Sequence, residues 1–268
     1  MAGGMVTIAG ITRFVSDLHL RPERPDLTER FSRFLVDCAE QQIDALFILG
    51  DLFEYWIGDD NLDDPFVATI VAALRQLSDR GTKLYFVHGN RDFLIGHAFA
   101  AATGATLLPD LTVLKLGAVP VGAGDTPQDN LASIRTSVLL LHGDTLCTDD
   151  HAYQNFRRRV RAPEWQQQFL AQSLRARRAE VATLRRHSAE AIREKSAEIM
   201  DVSPNAVRQT LATSMCRVMI HGHTHRPGRE VIDATTGSER WVLSDWEYER
   251  GDALELNGQK LCRLDWSR

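Results

Sequence analysis

A chain of 268 residues with 44% hydrophobic and 25% charged content can bury one substantial core, and this composition excludes a disordered, collagen-like or disulfide-framework protein. The formal charge of −5 at pH 7 argues against a dedicated nucleic-acid binder, although a local basic face can sit inside an acidic total. Cys38, Cys147, Cys216 and Cys262 form no CxxC pair and read as buried thiols of a reducing compartment. The start of the chain lacks a basic stretch ahead of an apolar run, and no window approaches the roughly 18 apolar residues of a membrane span. Any membrane contact is therefore expected to be peripheral, from the cytoplasmic side.

In chain order, "ITRFVSD" (11–17), "DALFILGD" (44–51), "KLYFVHGN" (83–90), "SVLLLHGD" (137–144) and "CRVMIHGH" (216–223) each predict a buried strand with polar residues at its carboxyl end. Between the first strands lie helices with local start signals. Asp26 and Glu29 form a D-x-x-E capping pattern, and Asp64–Pro65 fits N-cap and first helical position before a helix that stops at Gly81. Ser203–Pro204 repeats that signature. Strand alternating with helix indicates an α/β architecture with largely parallel pairing. Residues 117–130 read as a flexible loop in or after a hairpin, and "RWVLSDW" (240–246) and "KLCRLDW" (260–266) as an antiparallel end to a sheet.

Residues 153–200 differ from their surroundings: they contain no glycine, and carry eleven Lys and Arg against five Glu. They predict two or more helices inserted into a domain that otherwise spans 1–268. Trp165, Phe169, Leu170, Leu174, Leu184 and Ile192 interleave with the charges, so the insertion offers apolar surface together with arginines for anionic lipid or diphosphate. The plainer alternative is a solvated helical pair whose apolar stripe packs on the core.

The strand ends bring together Asp17 and His19, Asp51, Asn90, His142, and His221 and His223, at the edge where α/β proteins place their ligand sites. Residues two apart on an extended segment point the same way, so Asp17 with His19 and His221 with His223 form pairs. Glycine beside four of the five groups permits close approach. Two Asp, one Asn and four His mix hard oxygens with imidazoles, which suits Mn²⁺, Fe²⁺, Co²⁺ or Zn²⁺ better than Ca²⁺. Seven ligands are too many for one ion but suit two, with Asp51 as the bridging carboxylate, and two such ions can clamp a phosphoryl oxygen. His225 reads as a supporting or structural residue.

Asp-x-His, Gly-Asp, Gly-Asn-Arg, His-Gly-Asp and Gly-His-x-His in this order resemble the calcineurin-like metallophosphoesterases. The resemblance implies a four-layer αββα sandwich and a dinuclear site, with Asp17, His19, Asp51 and His223 at one metal and Asp51, Asn90, His142 and His221 at the other. The longer matches "GDLFEYWIGDD", "HGNRDF", "HGDTLCTDD" and "HGHTHRP" are similar to the subfamily that hydrolyses UDP-2,3-diacylglucosamine in the lipid A pathway of Gram-negative bacteria. That similarity implies two Mn²⁺, water attack on the α-phosphorus, and a helical cap (153–200) against the inner membrane of a monomeric protein with no nucleic-acid partner. Carried over by position, Asn90, Arg91 and His221 act at the diphosphate, while Asp150, Ser188 and Lys195 touch the substrate. Arg91 also has a direct rationale, because a guanidinium pairs bidentately with phosphate oxygens; its plainer role is a salt bridge to Asp92 or Asp59. Ile192 stands where the subfamily often presents an amide. The rival expectations are a phosphoesterase of soluble nucleotides or phosphoproteins and a non-catalytic scaffold of the same fold.

Overall fold

The computed structural model describes residues 4–117, 137–194, 199 and 201–267, with the backbone alone for 187–194. Twelve strands among the described residues form two six-stranded sheets. One contains, in spatial order, β1 (Met5–Ile8), β6 (Thr112–Leu116), β7 (Ser137–Leu140), β8 (Val218–His221), β10 (Ser238–Val242) and β9 (Gly228–Asp233). The other contains β12 (Lys260–Asp265), β11 (Asp252–Asn257), β2 (Thr12–Val15), β3 (Ala45–Ile48), β4 (Lys83–Val87) and β5 (Ala105–Leu108).

The two-residue alternation along each strand builds the layers. Phe14, Phe47, Val87, Leu140 and Ile220 face the space between the sheets and pack together; the Phe47 ring stacks on Phe14 at 5.3 Å and on Tyr85 at 4.6 Å. Their neighbours Val15, Leu46, Ile48 and Phe86 face outward onto α1 (Pro25–Glu40), α2 (Pro65–Asp79) and α3 (His97–Thr103). On the far side Leu139 and Met219 pack against Val207 and Leu211 of α7 (Pro204–Ser214). The result is helices, sheet, sheet, helix: the four-layer sandwich. Strands buried on both faces read as continuous apolar runs, so a single run cannot tell one sheet from two. The five motif strands accordingly divide, three in one sheet and two in the other, instead of sharing a single parallel edge. β10, expected to be antiparallel, pairs parallel with β8 and antiparallel with β9, whereas β12 is antiparallel to β11 as expected.

Local signals hold where the chemistry is local. Asp64 caps α2, its Oδ1 accepting from Phe66 N at 3.1 Å and Val67 N at 3.5 Å, with Pro65 in the first turn. Asp64→Ala is expected to cost about 1 kcal/mol of stability, measurable as a lower urea midpoint with an unchanged slope. The Asp26 pattern does not form a capping box: α1 begins at Pro25 after Arg24, and Asp26 lies inside the first turn, paired with Arg24. Ser203 occupies the N-cap of α7 without a side-chain cap bond.

Between β7 and α7 run α4 (His151–Val160), α5 (Pro163–Leu170) and α6 (Leu174–Glu194), so the helical excursion begins two residues before the expected 153. Arg177, 2% exposed, fastens α6 to the core through Ile57 O and the Asp60 carboxylate. The loop expected at 117–130 lies outside the described residues beyond Gly117, although β6 and β7, which flank it, pair antiparallel.

Candidate metal centre

The loops that follow β2, β3, β4, β7 and β8 meet, and backbone bonds stitch them. Asp17 N donates to Gly50 O (3.1 Å), His19 N to Asp51 O (3.0 Å) and Gly222 N to His142 O (2.9 Å). The Asp92 carboxylate accepts from Gly89 N (2.9 Å) and Leu52 N (2.8 Å), locking the loop of Asn90 to that of Asp51. The glycines are needed for clearance: a Cβ on Gly89 would lie 2.1 Å from Asp51 Oδ1, and one on Gly222 2.0 Å from Asp17 Oδ2. Asp17, His19, Asp51, His223 and His225 have φ of 53°, 49°, 53°, 68° and 54°. These segments are thus not the extended pairs expected from residue spacing; left-handed turns re-aim the side chains.

The re-aiming changes which histidines converge. Asp17 Oδ1 lies 3.3 Å from His225 Nε2 and 3.9 Å from His19 Nε2, and the two imidazole nitrogens are 3.3 Å apart. Asp51 Oδ2 lies 4.0 Å from His19 Nε2 and 3.8 Å from His142 Nε2. Asn90 Oδ1 sits between His142 Nε2 (3.0 Å) and His223 Nδ1 (2.8 Å). Two donor sets result: Asp17, His19 and His225 beside Asp51, and Asp51, His142, Asn90 and His223. His225, expected to be a supporting residue, is in the first set. Like His223, His221, expected to be a ligand, lies outside the two acid–histidine clusters, which are Asp17, His19 and His225, and Asp17, Asp51 and His142. Its Nδ1 is engaged 2.8 Å from Gly222 O, and its Nε2 is buried without a hydrogen-bond partner.

This donor set fits divalent transition ions. Oxygen and imidazole atoms of Asp17, His19 and His225, and likewise of Asp17, Asp51 and His142, crowd within 4.8 Å of one another, and Asp17 Oδ1 and His221 Nε2 are buried with no hydrogen bond of their own. Burial would raise the Asp17 carboxyl, but the imidazoles of His225, His142 and His19 hold it far below the usual carboxylate range. Burial would lower His142, yet Asp51, Asp17 and Asp144 raise it to about 9. Burial drives His221 down to about 3 and, with His142 adding to it, His223 down to about 4.

The raised His142 sets a pH dependence for the metal-free protein. Its contribution to stability is complete below its ordinary value of 6.5 and is lost as the pH climbs through about 9. Asp92, raised to about 7 by burial and by Asp51, acts in the same sense up to that pH. The melting temperature of chelator-treated protein is therefore expected to fall between pH 6.5 and 9, and metal affinity to rise over the same window as the bound proton is displaced. A melting temperature that rises with pH would contradict this assignment.

Three carboxylates that sequence spacing does not single out stand behind the ligands. Glu54 Oε2 lies 3.2 Å from His19 Nδ1, and Asp245 Oδ2 lies 3.7 Å from His225 Nδ1. The fully buried Asp144 accepts from Tyr153 Oη and Arg157 Nε, both at 2.7 Å, and so anchors α4. Glu54 closes the "GDLFE" motif and Asp144 the "HGD" motif; Asp245 comes from a distant loop that no local signal joins to the site.

Beside the centre opens a cavity of about 320 Å³. Glu54, Asn90 and Arg91 line its floor; its walls are Tyr153, Phe156 and Val160 of α4, Trp165 and Phe169 of α5, and Val181 and Leu184 of α6. The insertion's apolar residues thus face this cavity in part, although Leu170 is 40% exposed. Arg91 makes neither of the salt bridges considered for it. Asp92 is bound by backbone amides, Asp59 by Trp56 Nε1 and three amides, and Arg91 Nε is buried without a hydrogen bond. Asp150 caps α4, accepting from Tyr153 N at 3.0 Å, and is not among the cavity-lining residues. Ser188 and Ile192 are placed on α6 by their backbone, but their side chains, and all of Lys195, lie outside the described residues.

Residues 13–227 match the model of the calcineurin-like phosphoesterases. The UDP-2,3-diacylglucosamine hydrolase of Chromohalobacter salexigens is 44% identical over 94% of this chain and 96% of its own. That of Serratia proteamaculans is 44% identical over 91% and 97%. Among solved structures, a dimetal phosphatase from Danio rerio superposes with a TM-score of 0.50 at 13% identity, covering 96% of this chain and 99% of its own, a likeness of fold.

Proposed function

Because this chain belongs to the calcineurin-like phosphoesterases and, within them, to the UDP-2,3-diacylglucosamine hydrolases, we propose that it hydrolyses the diphosphate of UDP-2,3-diacylglucosamine, releasing UMP and 2,3-diacylglucosamine 1-phosphate. The observation that carries this reading is the cavity in which Asn90 and Arg91 meet the apolar walls of three helices. A soluble nucleotide has no use for such walls; acyl chains attached to a diphosphate use both ends.

Divalent ions held by the two donor sets supply Lewis acidity toward phosphoryl oxygens and toward water. We assign Asp17, His19, Asp51 and His223 to one Mn²⁺ and Asp51, Asn90, His142 and His221, whose Nε2 is buried without a hydrogen-bond partner, to the other, with His225 beside Asp17 as a further donor. Asn90 Oδ1, 3.0 Å from His142 Nε2 and 2.8 Å from His223 Nδ1, would take its place among the ligands of an ion bound there. Arg91, whose backbone N donates to Asp51 Oδ1 at 2.8 Å, is held at the centre with its guanidinium free of carboxylate partners among the described residues. It pairs with the diphosphate and offsets the charge that builds on the departing oxygen. The departing group is a phosphate monoester with a second pKa of about 6, so charge neutralisation matters there more than proton donation.

The helices of 153–200 act in this reading as a cap that holds the acyl chains, with Ser188 and Lys195 reaching the sugar phosphate. Arg158, Arg159, Arg175, Arg178 and Arg186 are exposed on it, together with Leu170. That combination supports peripheral contact with the anionic cytoplasmic face of the inner membrane; no helix among the described residues is long and apolar enough to cross it.

The test is turnover of UDP-2,3-diacylglucosamine in detergent with Mn²⁺ present and then chelated, beside cyclic AMP and a generic phosphodiester. Mn²⁺-dependent release of UMP from the lipid nucleotide supports the reading, and activity confined to the soluble esters overturns it. In the same assay Arg91→Ala is expected to lower kcat by about 10²–10³-fold with metal content unchanged.

A further inference from the structure

Glu54 touches the metal centre and the helical excursion at once. Its backbone N donates to Leu20 O at 3.1 Å, which sets the 52–54 segment beside 18–20. One carboxylate oxygen, Oε2, lies 3.2 Å from His19 Nδ1 and 3.6 Å from Arg21 Nη1. The other, Oε1, accepts from Arg185 of α6, whose guanidinium also lies 5.7 Å from the centre of the Tyr55 ring. The side chain is 12% exposed, and no step of the hydrolysis calls on it. An imidazole that ligates through Nε2 must carry its proton on Nδ1, and an acceptor for that proton fixes the ring and makes it a better ligand. Glu54 Oε2 is the carboxylate oxygen placed to take that proton, 3.2 Å from His19 Nδ1, which has no other hydrogen-bond partner.

We propose that Glu54 is a positioning residue that holds His19 with Nε2 turned to the metal, and that through Arg185 it links the ion affinity of the centre to the seating of α6. The inference rests on the reading of His19 as a ligand. The link follows from sharing: a carboxylate pulled by Arg185 on one oxygen has its other oxygen fixed in place for His19. If α6 lifts, the carboxylate can rotate away and His19 loses its orientation.

The experiment is calorimetric titration of Mn²⁺ into the metal-free full-length protein, with circular dichroism as the check on folding. Glu54→Ala is expected to weaken binding by about 10–100-fold. Glu54→Gln keeps an acceptor oxygen without its charge, and is expected to lose about threefold to tenfold; it carries the test alone if the alanine variant does not fold. Arg185→Ala is expected to weaken binding by less than Glu54→Ala, and the double variant to bind no more weakly than Glu54→Ala. Wild-type affinity in the Glu54 variants, with affinity lost in His19→Ala, overturns the inference and leaves His19 a ligand. Wild-type affinity in His19→Ala overturns the reading beneath it. Additive losses in the double variant overturn the link to α6.

Discussion

Asp51→Ala is expected to lower turnover by about 10³-fold or more while the chain stays folded. The Asp51 carboxylate stands beside both donor sets, with Oδ2 4.0 Å from His19 Nε2 and 3.8 Å from His142 Nε2. Its removal therefore weakens both ion sites together. It also frees Arg91 N, which donates to Asp51 Oδ1, and so loosens the residue proposed to grip the diphosphate. Several kcal/mol of charge stabilisation are at stake, each 1.36 kcal/mol worth a factor of ten. Global stability is expected to change little in the metal-free protein, because losing the attraction of Asp51 for His142 is offset by relief of its repulsion of the buried Asp92 carboxyl, raised to about 7 by burial and that repulsion. Metal content by elemental analysis, read beside turnover and a thermal melt, checks all three expectations; a variant retaining both metal and activity would remove Asp51 from the bridging position.

His225→Ala and His221→Ala are expected to show which imidazoles of this segment hold the ions. His225 Nε2 lies 3.3 Å from Asp17 Oδ1 and 3.3 Å from His19 Nε2, so its loss removes a donor from the first set. Metal affinity is expected to drop by more than the roughly 10–100-fold typical of losing an outer partner, and activity with it. His221 is fully buried at the end of β8 with Nδ1 turned to Gly222 O. Its Nε2 is buried without a hydrogen-bond partner, placed to take an ion, so its replacement is also expected to weaken ion affinity by more than about 10–100-fold. Mn²⁺ titration of the two purified variants decides the matter. Intact affinity in His221→Ala, with loss in His225→Ala, would overturn the assignment of His221 and put His225 in its place.

That segment marks the limit of what the sequence makes legible. "HGHTHRP" announces a cluster of imidazoles, and alternation along a strand would group 221 with 223. β8 ends at His221, however, and the left-handed turns at His223 and His225 re-aim those two rings, setting His225 against Asp17 and His223 against Asn90. The same limit hid the second sheet: Phe47 and Ile48 are equally buried, one toward each side of their strand, and periodicity has nothing to report when both faces are apolar. By contrast Asp64–Pro65, the five strand ends and the helical excursion could be read directly, because each depends on neighbours within a few residues. Glu54, Asp144 and Asp245 do their work across the fold, behind the ligands, where spacing carries no information.

The left-handed backbone at Asp17, His19, Asp51, His223 and His225 has an evolutionary consequence. Non-glycine residues in that conformation cost of order 1–3 kcal/mol each, and glycine or asparagine at the same positions would relax it. Selection for heat resistance alone would therefore erode these five positions first. Aspartate and histidine persist there only while the reaction itself is under selection, so a descendant freed from catalysis would become more robust as it lost its ligands.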